Sequence, residues 1–270
     1  MTGRVGIFDG RIGIVDGVVG IVGVGHLASY LVEGLRRASP NLEIVLSPRN
    51  AERSAELAAR FGARVADDNQ AVANAAELIL LTTRPGDAVA ACENIAFRPE
   101  QTVISAAAGL TLAALRPAVA PAAVVRAMPI SCAAINESPT LLYPDDPRAH
   151  ALFALLGQVH VLPDESQFAP ASAIAAFYGW VYALLDEMVA WTAQAGVPAQ
   201  TARGLVLETV RGAVDMALRH PDQELAAMLD TLATPGGITE QGLRILRRDG
   251  GLTAWTEALS AVLTRMDGDS

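Results

Sequence analysis

The residues best placed to do chemistry are glycines. Val22-Gly23-Val24-Gly25-His26-Leu27-Ala28 has the spacing of the G-x-G-x-x-G/A fingerprint that receives a dinucleotide pyrophosphate. Gly23 lets the chain turn sharply, Gly25 keeps any side chain from standing between backbone and pyrophosphate, and Ala28 lets the following helix approach the strand. The phosphates would then sit on a helix N-terminus, where backbone N–H groups without intrahelical partners and the helix dipole favour an anion. His26 either caps the pyrophosphate or simply begins the helix. A second group, Ser47-Pro48-Arg49-Asn50, lies where a ribose-binding acid stands in NAD-specific sites. No acid follows Leu46, and a hydroxyl and a guanidinium suit a 2′-phosphate, so NADPH is expected over NADH.

The elements that must hold these groups can be read from the hydrophobic pattern. An apolar strand through Val19–Val22 leads into a helix carrying Tyr30, Leu31 and Leu35, and a second strand follows over 42–46, which together make a βαβ unit. Residues 51–61 read as a helix ending at Gly62. Further strands are expected over 78–81, running into Thr82-Thr83-Arg84-Pro85, over 103–105, before Ala106-Ala107-Ala108-Gly109, and over 124–128. Strands alternating with helices predict an α/β fold with a parallel, doubly wound Rossmann-type sheet, whose ligands bind beyond the strand C-termini.

After Pro163 the strand signals stop, and helical patterns run over 178–195, 199–220 and 252–266, with a turn at Ala233 to Thr239 leading into a helix over 241–248. The expected organisation is an N-terminal extension (1–18), a dinucleotide-binding domain (19–162) and an all-α domain (163–270). Residues 3 to 21 contain a near-repeat of seven residues, Gly3-Arg4-Val5-Gly6-Ile7, Gly10-Arg11-Ile12-Gly13-Ile14 and Gly17-Val18-Val19-Gly20-Ile21, of which only the third leads into a helix. The two earlier copies either turn a hairpin at Asp9-Gly10 or Asp16-Gly17, or form a loosely held extension, the preferred reading. The helical region is more apolar than a thin layer can cover alone, which predicts a homodimer. Tyr178, Trp180 and Tyr182 either line a pocket or belong to that dimer core.

Composition excludes several classes of function. A net charge of −9 argues against nucleic acid, which needs clustered positive charge. All 20 basic side chains other than histidine are arginine. Without lysine there is no Schiff base, no Tyr-x-x-x-Lys dehydrogenase chemistry and no lysine general acid. Cys92 and Cys132 are too few for a disulfide scaffold or a metal cage and suit a reducing cytoplasm. His150, His160 and His220 have no metal-ligand spacing, and Asp186 and Glu187, being adjacent, point to different helix faces. Asp9 and Asp16 interrupt any secretory signal. The uncharged run over 166–185 is of membrane-spanning length, but Gln167, Pro170 and Gly179 favour a buried domain helix, so no membrane is expected.

Four segments resemble the pyrroline-5-carboxylate reductase family: 21–28 for its glycine turn, 82–85 for its Ala-Val-Lys-Pro, Arg126-Ala127-Met128-Pro129 for its Arg-Ala-Met-Pro, and 234–239 for its Ser-Pro-Gly-Gly-x-Thr. The resemblance implies a Rossmann domain, a helical dimerisation domain, and reduction of a cyclic imine to proline by NAD(P)H. It implies cofactor contacts on Gly23, Gly25, His26, Leu27, Ala28, Ser47, Arg49, Asn69, Thr82, Thr83, Arg84, Pro85, Ala106, Ala107 and Ala108. By the same resemblance Thr239 lies by the substrate nitrogen as the catalytic residue, with Met128, Tyr178, Thr234, Gly236 and Gly237 toward the substrate. One stretch departs from the family. Its Ser-Gly-Ser-Gly-Pro-Ala-Tyr turn, which receives the substrate carboxylate, is replaced by Ala175-Ala176-Phe177-Tyr178-Gly179-Trp180-Val181. Ile130 and Cys132 likewise replace the usual Asn and Pro. Two further readings follow: a reductase of a less anionic imine or carbonyl compound, or a dinucleotide-binding protein without turnover.

Overall fold

A computed structural model describes residues 7–8, 11–12 and 17–268. Ile7–Phe8 (β1) pairs antiparallel with Arg11–Ile12 (β2), with Phe8 opposite Arg11. This antiparallel pairing is the hairpin alternative, found where a loose extension was preferred; Asp9, Gly10 and the rest of the near-repeat before Gly17 lie outside the described residues. Two compact units follow. One holds the described residues up to Ser172 together with those from Arg265, and the other is Ala173–Thr264.

The first unit is built around Val18–Val22 (β3), whose residues from Val19 on are all buried. A parallel strand is covered on both faces, which is why it reads as a continuous apolar run. The helix His26–Ala38 (α1) covers one face with Ala28, Leu31, Val32 and Leu35, an i, i+3, i+4, i+7 stripe, and ends on Arg36 and Arg37, which complement its dipole. Glu43–Leu46 (β4) follows. Next comes Ala51–Phe61 (α2), started by the Asn50 side chain accepting from Arg53 N and closed by Gly62 in the left-handed conformation at φ +65°. Arg64–Val65 (β5), Asn69–Ala75 (α3), Leu78–Leu81 (β6), the single turn Pro85–Ala88 (α4), Thr102–Ser105 (β7), Leu112–Val119 (α5) and Ala123–Met128 (β8) complete the alternation. Thr140–Tyr143 (β9), Pro147–Ala154 (α6) and Val159–Val161 (β10) extend the sheet beyond what sequence patterning suggested.

The strands lie in the order β5-β4-β3-β6-β7-β8-β9-β10. From β5 to β8 every pairing is parallel, whereas β9 runs antiparallel to β8, so the sheet is mixed at that end. Successive strands step one way from β3 and then the other way from β6, so the order reverses between these two neighbours. That reversal opens a crevice above their C-terminal ends, the usual ligand position in such sheets.

Arg126, near the end of β8, extends this unit beyond the 162/163 boundary expected from sequence. Its guanidinium is 5% exposed, donates to Glu165 Oε1 at 2.9 Å, and lies 4.0 Å over the ring of Phe168. Glu165 Oε1 also accepts from Leu112 N at 2.8 Å. Burial pulls the Arg126 pKa below its ordinary value while the Glu165 carboxylate opposes the shift. The start of the next helix is thereby fastened to the Rossmann core, and Phe168 and Ser172 are buried there.

That helix, Phe168–Gln194 (α7), begins ten residues before the helical pattern at 178. Pro170 lies in its first turn, where a missing N–H costs nothing, and Gly179 does not interrupt it. Ala199–Arg219 (α8), Leu225–Leu232 (α9), Ile238–Arg248 (α10) and Thr253–Gly268 (α11) follow. Sequence patterning did not anticipate α9, and α10 starts at Ile238 rather than Gln241 because Gly237 serves as its N-cap. Within the second unit Phe177 and Trp255 meet edge to face at 5.7 Å, and Trp180 lies 6.4 Å from Trp255. The expectation of a buried helix over 166–185 fails for the single chain. The run through α7 is long and apolar enough to cross a membrane, and only 17% of its most apolar window is buried.

Candidate functional site

The site grows from the turn that ends β3. Gly23 has φ +93°, and a Cβ there would stand 2.5 Å from Thr83 Cγ2 and 2.8 Å from Thr83 N, so both conformation and close approach require glycine. Thr82 Oγ1 donates to Gly23 O at 2.7 Å, and Thr82 N to Val22 O at 2.9 Å. From the other flank Gly23 N donates to Ser47 Oγ at 3.1 Å, and Asn50 Nδ2 to Val24 O at 3.1 Å. The loops after β4 and β6 thus lock the turn from both sides. Gly25 differs: its φ of −107° is ordinary, and a Cβ there would meet nothing within 4 Å among the described residues. Neither strain nor packing among those residues explains the glycine, and the space beside it is open. His26 opens α1 and is exposed, Leu27 is half-buried and Ala28 is buried against the strand.

Two further observations fit a dinucleotide. The N-terminus of α1 has no side-chain cap and no acidic residue in its first turn, leaving its N–H groups open to an anion. Thr83 Oγ1, beside the glycine turn, is buried without a hydrogen-bond partner among the described residues. An orphaned buried hydroxyl is costly unless a bound group satisfies it.

Around this turn the fold assembles most of the residues marked in the sequence. Ser47 and Arg49 follow β4, Thr82, Thr83, Arg84 and Pro85 follow β6, and Ala106, Ala107 and Ala108 follow β7, all at C-terminal ends of adjacent strands. One of them departs from its expected place. Ser47 is fully buried, accepts from Gly23 N and donates no side chain to the open loop. β4 neighbours β3, so its first loop residue runs directly under the glycine turn; Ser47 supports that turn, and only Arg49 of the pair is exposed. Ala106 and Ala107 are buried while Ala108 is open to solvent. Asn69 opens α3 and donates to Ala91 O at 3.3 Å. Met128 ends β8, half-buried. Sequence reasoning missed the hold of Asn50 on Val24; its signal was an asparagine N-cap three residues before Arg53.

In the second unit Thr234, Gly236, Gly237 and Thr239 form the turn into α10. Gly237 N donates to Thr234 O at 2.8 Å, Gly236 has φ +76°, and its N–H donates to Glu240 Oε2 at 2.7 Å. Thr239 is the second residue of α10, exposed and, among the described residues, with no hydrogen bond to its hydroxyl. Tyr178 is half-buried, its hydroxyl 2.9 Å from that of Tyr182. Residues 175–181 all lie inside α7. Cys92 is buried, and desolvation pushes its thiol up to about 11; burial raises that of Cys132 as well. Among the described residues no group of His, Cys, Asp and Glu is arranged to hold a metal ion.

Fold and site together define a Rossmann-type protein that holds a nicotinamide dinucleotide. Residues 18–109 match the family described as NADP oxidoreductase coenzyme F420-dependent, and residues 165–268 match pyrroline-5-carboxylate reductase dimerisation. The pyrroline-5-carboxylate reductase of Pseudomonas aeruginosa is 28% identical over 256 residues, covering 90% of this chain and 93% of that protein. That of Synechocystis is 28% identical, covering 90% and 95%. Among solved structures, the pyrroline-5-carboxylate reductase from Streptococcus pyogenes superposes with a TM-score of 0.82 at 24% identity, over 93% of this chain and 98% of that one. The Plasmodium falciparum pyrroline carboxylate reductase with NADP bound gives 0.83 at 21%, over 95% and 99%. Residues 165–268 thus match the pyrroline-5-carboxylate reductase dimerisation family, and the chain as a whole is similar to pyrroline-5-carboxylate reductases over nine-tenths of its length.

Proposed function

We propose that the protein is a cytoplasmic NADPH-dependent reductase that transfers hydride to the C=N bond of a small cyclic imine, with proline biosynthesis as its pathway. The observation that carries this reading is the open space at Gly25 in a turn whose Gly23 packs against Thr83, whose buried hydroxyl has no partner among the described residues, in a chain that aligns with reductases over nine-tenths of its length. When bound, the cofactor supplies the hydride. The backbone from Gly23 to Ala28 and the start of α1 hold the pyrophosphate, Arg49 takes the 2′-phosphate, and Asn69, Thr82 to Pro85 and Ala106 to Ala108 line the remainder. Because no acid ends β4, NADPH is preferred to NADH. Thr239 places its hydroxyl by the substrate nitrogen, where its oxygen accepts a hydrogen bond from the N–H of the protonated imine, and Met128, Tyr178, Thr234, Gly236 and Gly237 shape the substrate's surroundings. A pyrrolinium-type imine is protonated near neutral pH, so positioning and one hydrogen bond suffice in place of a strong acid. The second unit forms a homodimer, a reading supported by its exposed apolar helices and by the dimerisation family it matches.

A second reading of the substrate is favoured by the unbroken course of α7. Peptide N–H groups in a helix interior are spent on carbonyls four residues back, so residues 175–181 offer no backbone donors to a carboxylate. An anion buried beside Phe177 and Trp180 would lack partners, which is costly. This reading replaces the substrate with a less anionic, more apolar cyclic imine or carbonyl compound. Steady-state assays of pyrroline-5-carboxylate and of 1-pyrroline, which lacks the carboxylate, test both. The altered-substrate reading expects the carboxylate-free imine to turn over faster, and efficient proline formation would sink it. Thr239→Val should lower kcat/KM roughly ten- to a hundredfold, about 1.4 to 3 kcal/mol, with cofactor affinity kept. An unaffected variant removes Thr239 from the chemistry.

A further inference from the structure

We infer that Asp87 is a specificity-determining residue at the adenosine end of the cofactor site, restraining the preference for a phosphorylated ribose; the inference rests on the assignment of Arg49 to the 2′-phosphate. Arg49 lies in the loop after β4, and Asp87 is the third residue of α4, just beyond β6. These two strands flank β3. The contact of Arg49 Nη2 with Asp87 Oδ2, at 3.8 Å, therefore spans the ends of both neighbours across the glycine turn. The side chains are 69% and 49% exposed, and neither has another hydrogen-bond or ionic partner among the described residues. An ion pair so exposed is weak in water and can part without disturbing the fold.

The pair gives the two forms of the ribose different receptions. A 2′-phosphate drawn to Arg49 must displace the Asp87 carboxylate and then remain beside it, anion against anion. A free 2′-hydroxyl needs no displacement, and can donate a hydrogen bond to the same carboxylate. Arg49 thus attracts the phosphorylated cofactor while Asp87 offsets part of that attraction, so the chain accepts both cofactors more evenly than Arg49 alone would allow. Asp87 is absent from the set of cofactor residues that the sequence suggested, because its spacing from the glycine turn carries no signature; only the sheet order brings it opposite Arg49.

The test is fluorescence titration of the full chain with NADPH and with NADH, for the wild type, Asp87→Asn, Arg49→Ala and the double variant. Asp87→Asn should tighten NADPH roughly two- to fivefold and leave NADH unchanged or weaker. Competition by adenosine 2′,5′-bisphosphate should tighten in parallel, and competition by adenosine 5′-monophosphate should not. A ratio of NADPH to NADH affinity that Asp87→Asn leaves unchanged or lowers overturns the inference. Arg49→Ala separates the two layers. If it lowers the ratio while Asp87→Asn does not raise it, the role of Asp87 alone is refuted; if Arg49→Ala leaves the ratio untouched, the assignment of Arg49 falls and the role of Asp87 with it.

Discussion

The two units are both rich in apolar residues, yet they spend them differently. In the first, β3, β6 and β7 bury essentially every side chain between helical layers, and Phe153, Leu31 and Ile104 are fully enclosed by their own chain. In the second, large apolar side chains face outward: Trp191 is 66% exposed, Leu218 74% and Ile238 88%. A sheet covered on both faces completes its own core, whereas long helices in a thin layer leave stripes that need another surface. The first unit is therefore a finished scaffold for a bound dinucleotide, and the second reads as half of an interface. A monomeric soluble protein rarely presents apolar patches on this scale.

Three measurements would break or sharpen this contrast. The largest effect is expected from Phe153→Ala, which opens a cavity in the closed core and should cost about 3 to 5 kcal/mol by chemical denaturation. In Leu218→Ala, by comparison, the exposed side chain should cost under about 0.5 kcal/mol within an isolated chain. Equal losses at the two positions would mean that the units are not organised differently.

Next in size is the assembly. Sedimentation of the wild type should give a dimer at micromolar concentration, and placing carboxylates at Trp191→Asp together with Leu218→Asp should shift it toward monomer, because an unpartnered buried charge is costly. A wild type that sediments as a monomer would contradict the reading of the second unit as an interface.

The smallest effect concerns the cradle itself. A methyl group at Gly25 meets no atom of the described residues within 4 Å, so Gly25→Ala should leave thermal unfolding of the free protein unchanged while weakening NADPH by roughly tenfold, about 1.4 kcal/mol. Gly23→Ala should lower both, since its Cβ would collide with Thr83 at a positive φ. Calorimetry with and without NADPH distinguishes them, and an unaltered affinity in Gly25→Ala would exclude the pyrophosphate from this turn.

Much of this was legible in the residues. The strand over Leu78–Leu81 and the helix over Ala51–Phe61 with its closing Gly62 fall where apolar runs and a C-terminal glycine put them. The glycine turn and the crevice above it were legible too, since the turn's signature is local and its neighbours sit at the ends of recognisable strands. Ser47 was not, because whether a loop hydroxyl faces solvent or supports a turn depends on which strand lies next to it. Nor was the root of α7: the long helical pattern was read from Tyr178, whereas the helix begins ten residues earlier, fastened there by Arg126, Glu165 and Phe168.

What the sequence determined by itself is what short-range periodicity and backbone stereochemistry encode. These are the alternation of strands and helices, the turn at Gly23, the absence of lysine chemistry, and a second region too apolar for its thickness. Tertiary structure alone decided which residues meet at long separation. It set Asp87 against Arg49, Thr82 against Gly23 and Glu165 against Arg126, and it left the faces of α7 and α8 open. The physical reason is that partners far apart along the chain are chosen by sheet order and packing, and neither is written into the spacing of any one segment.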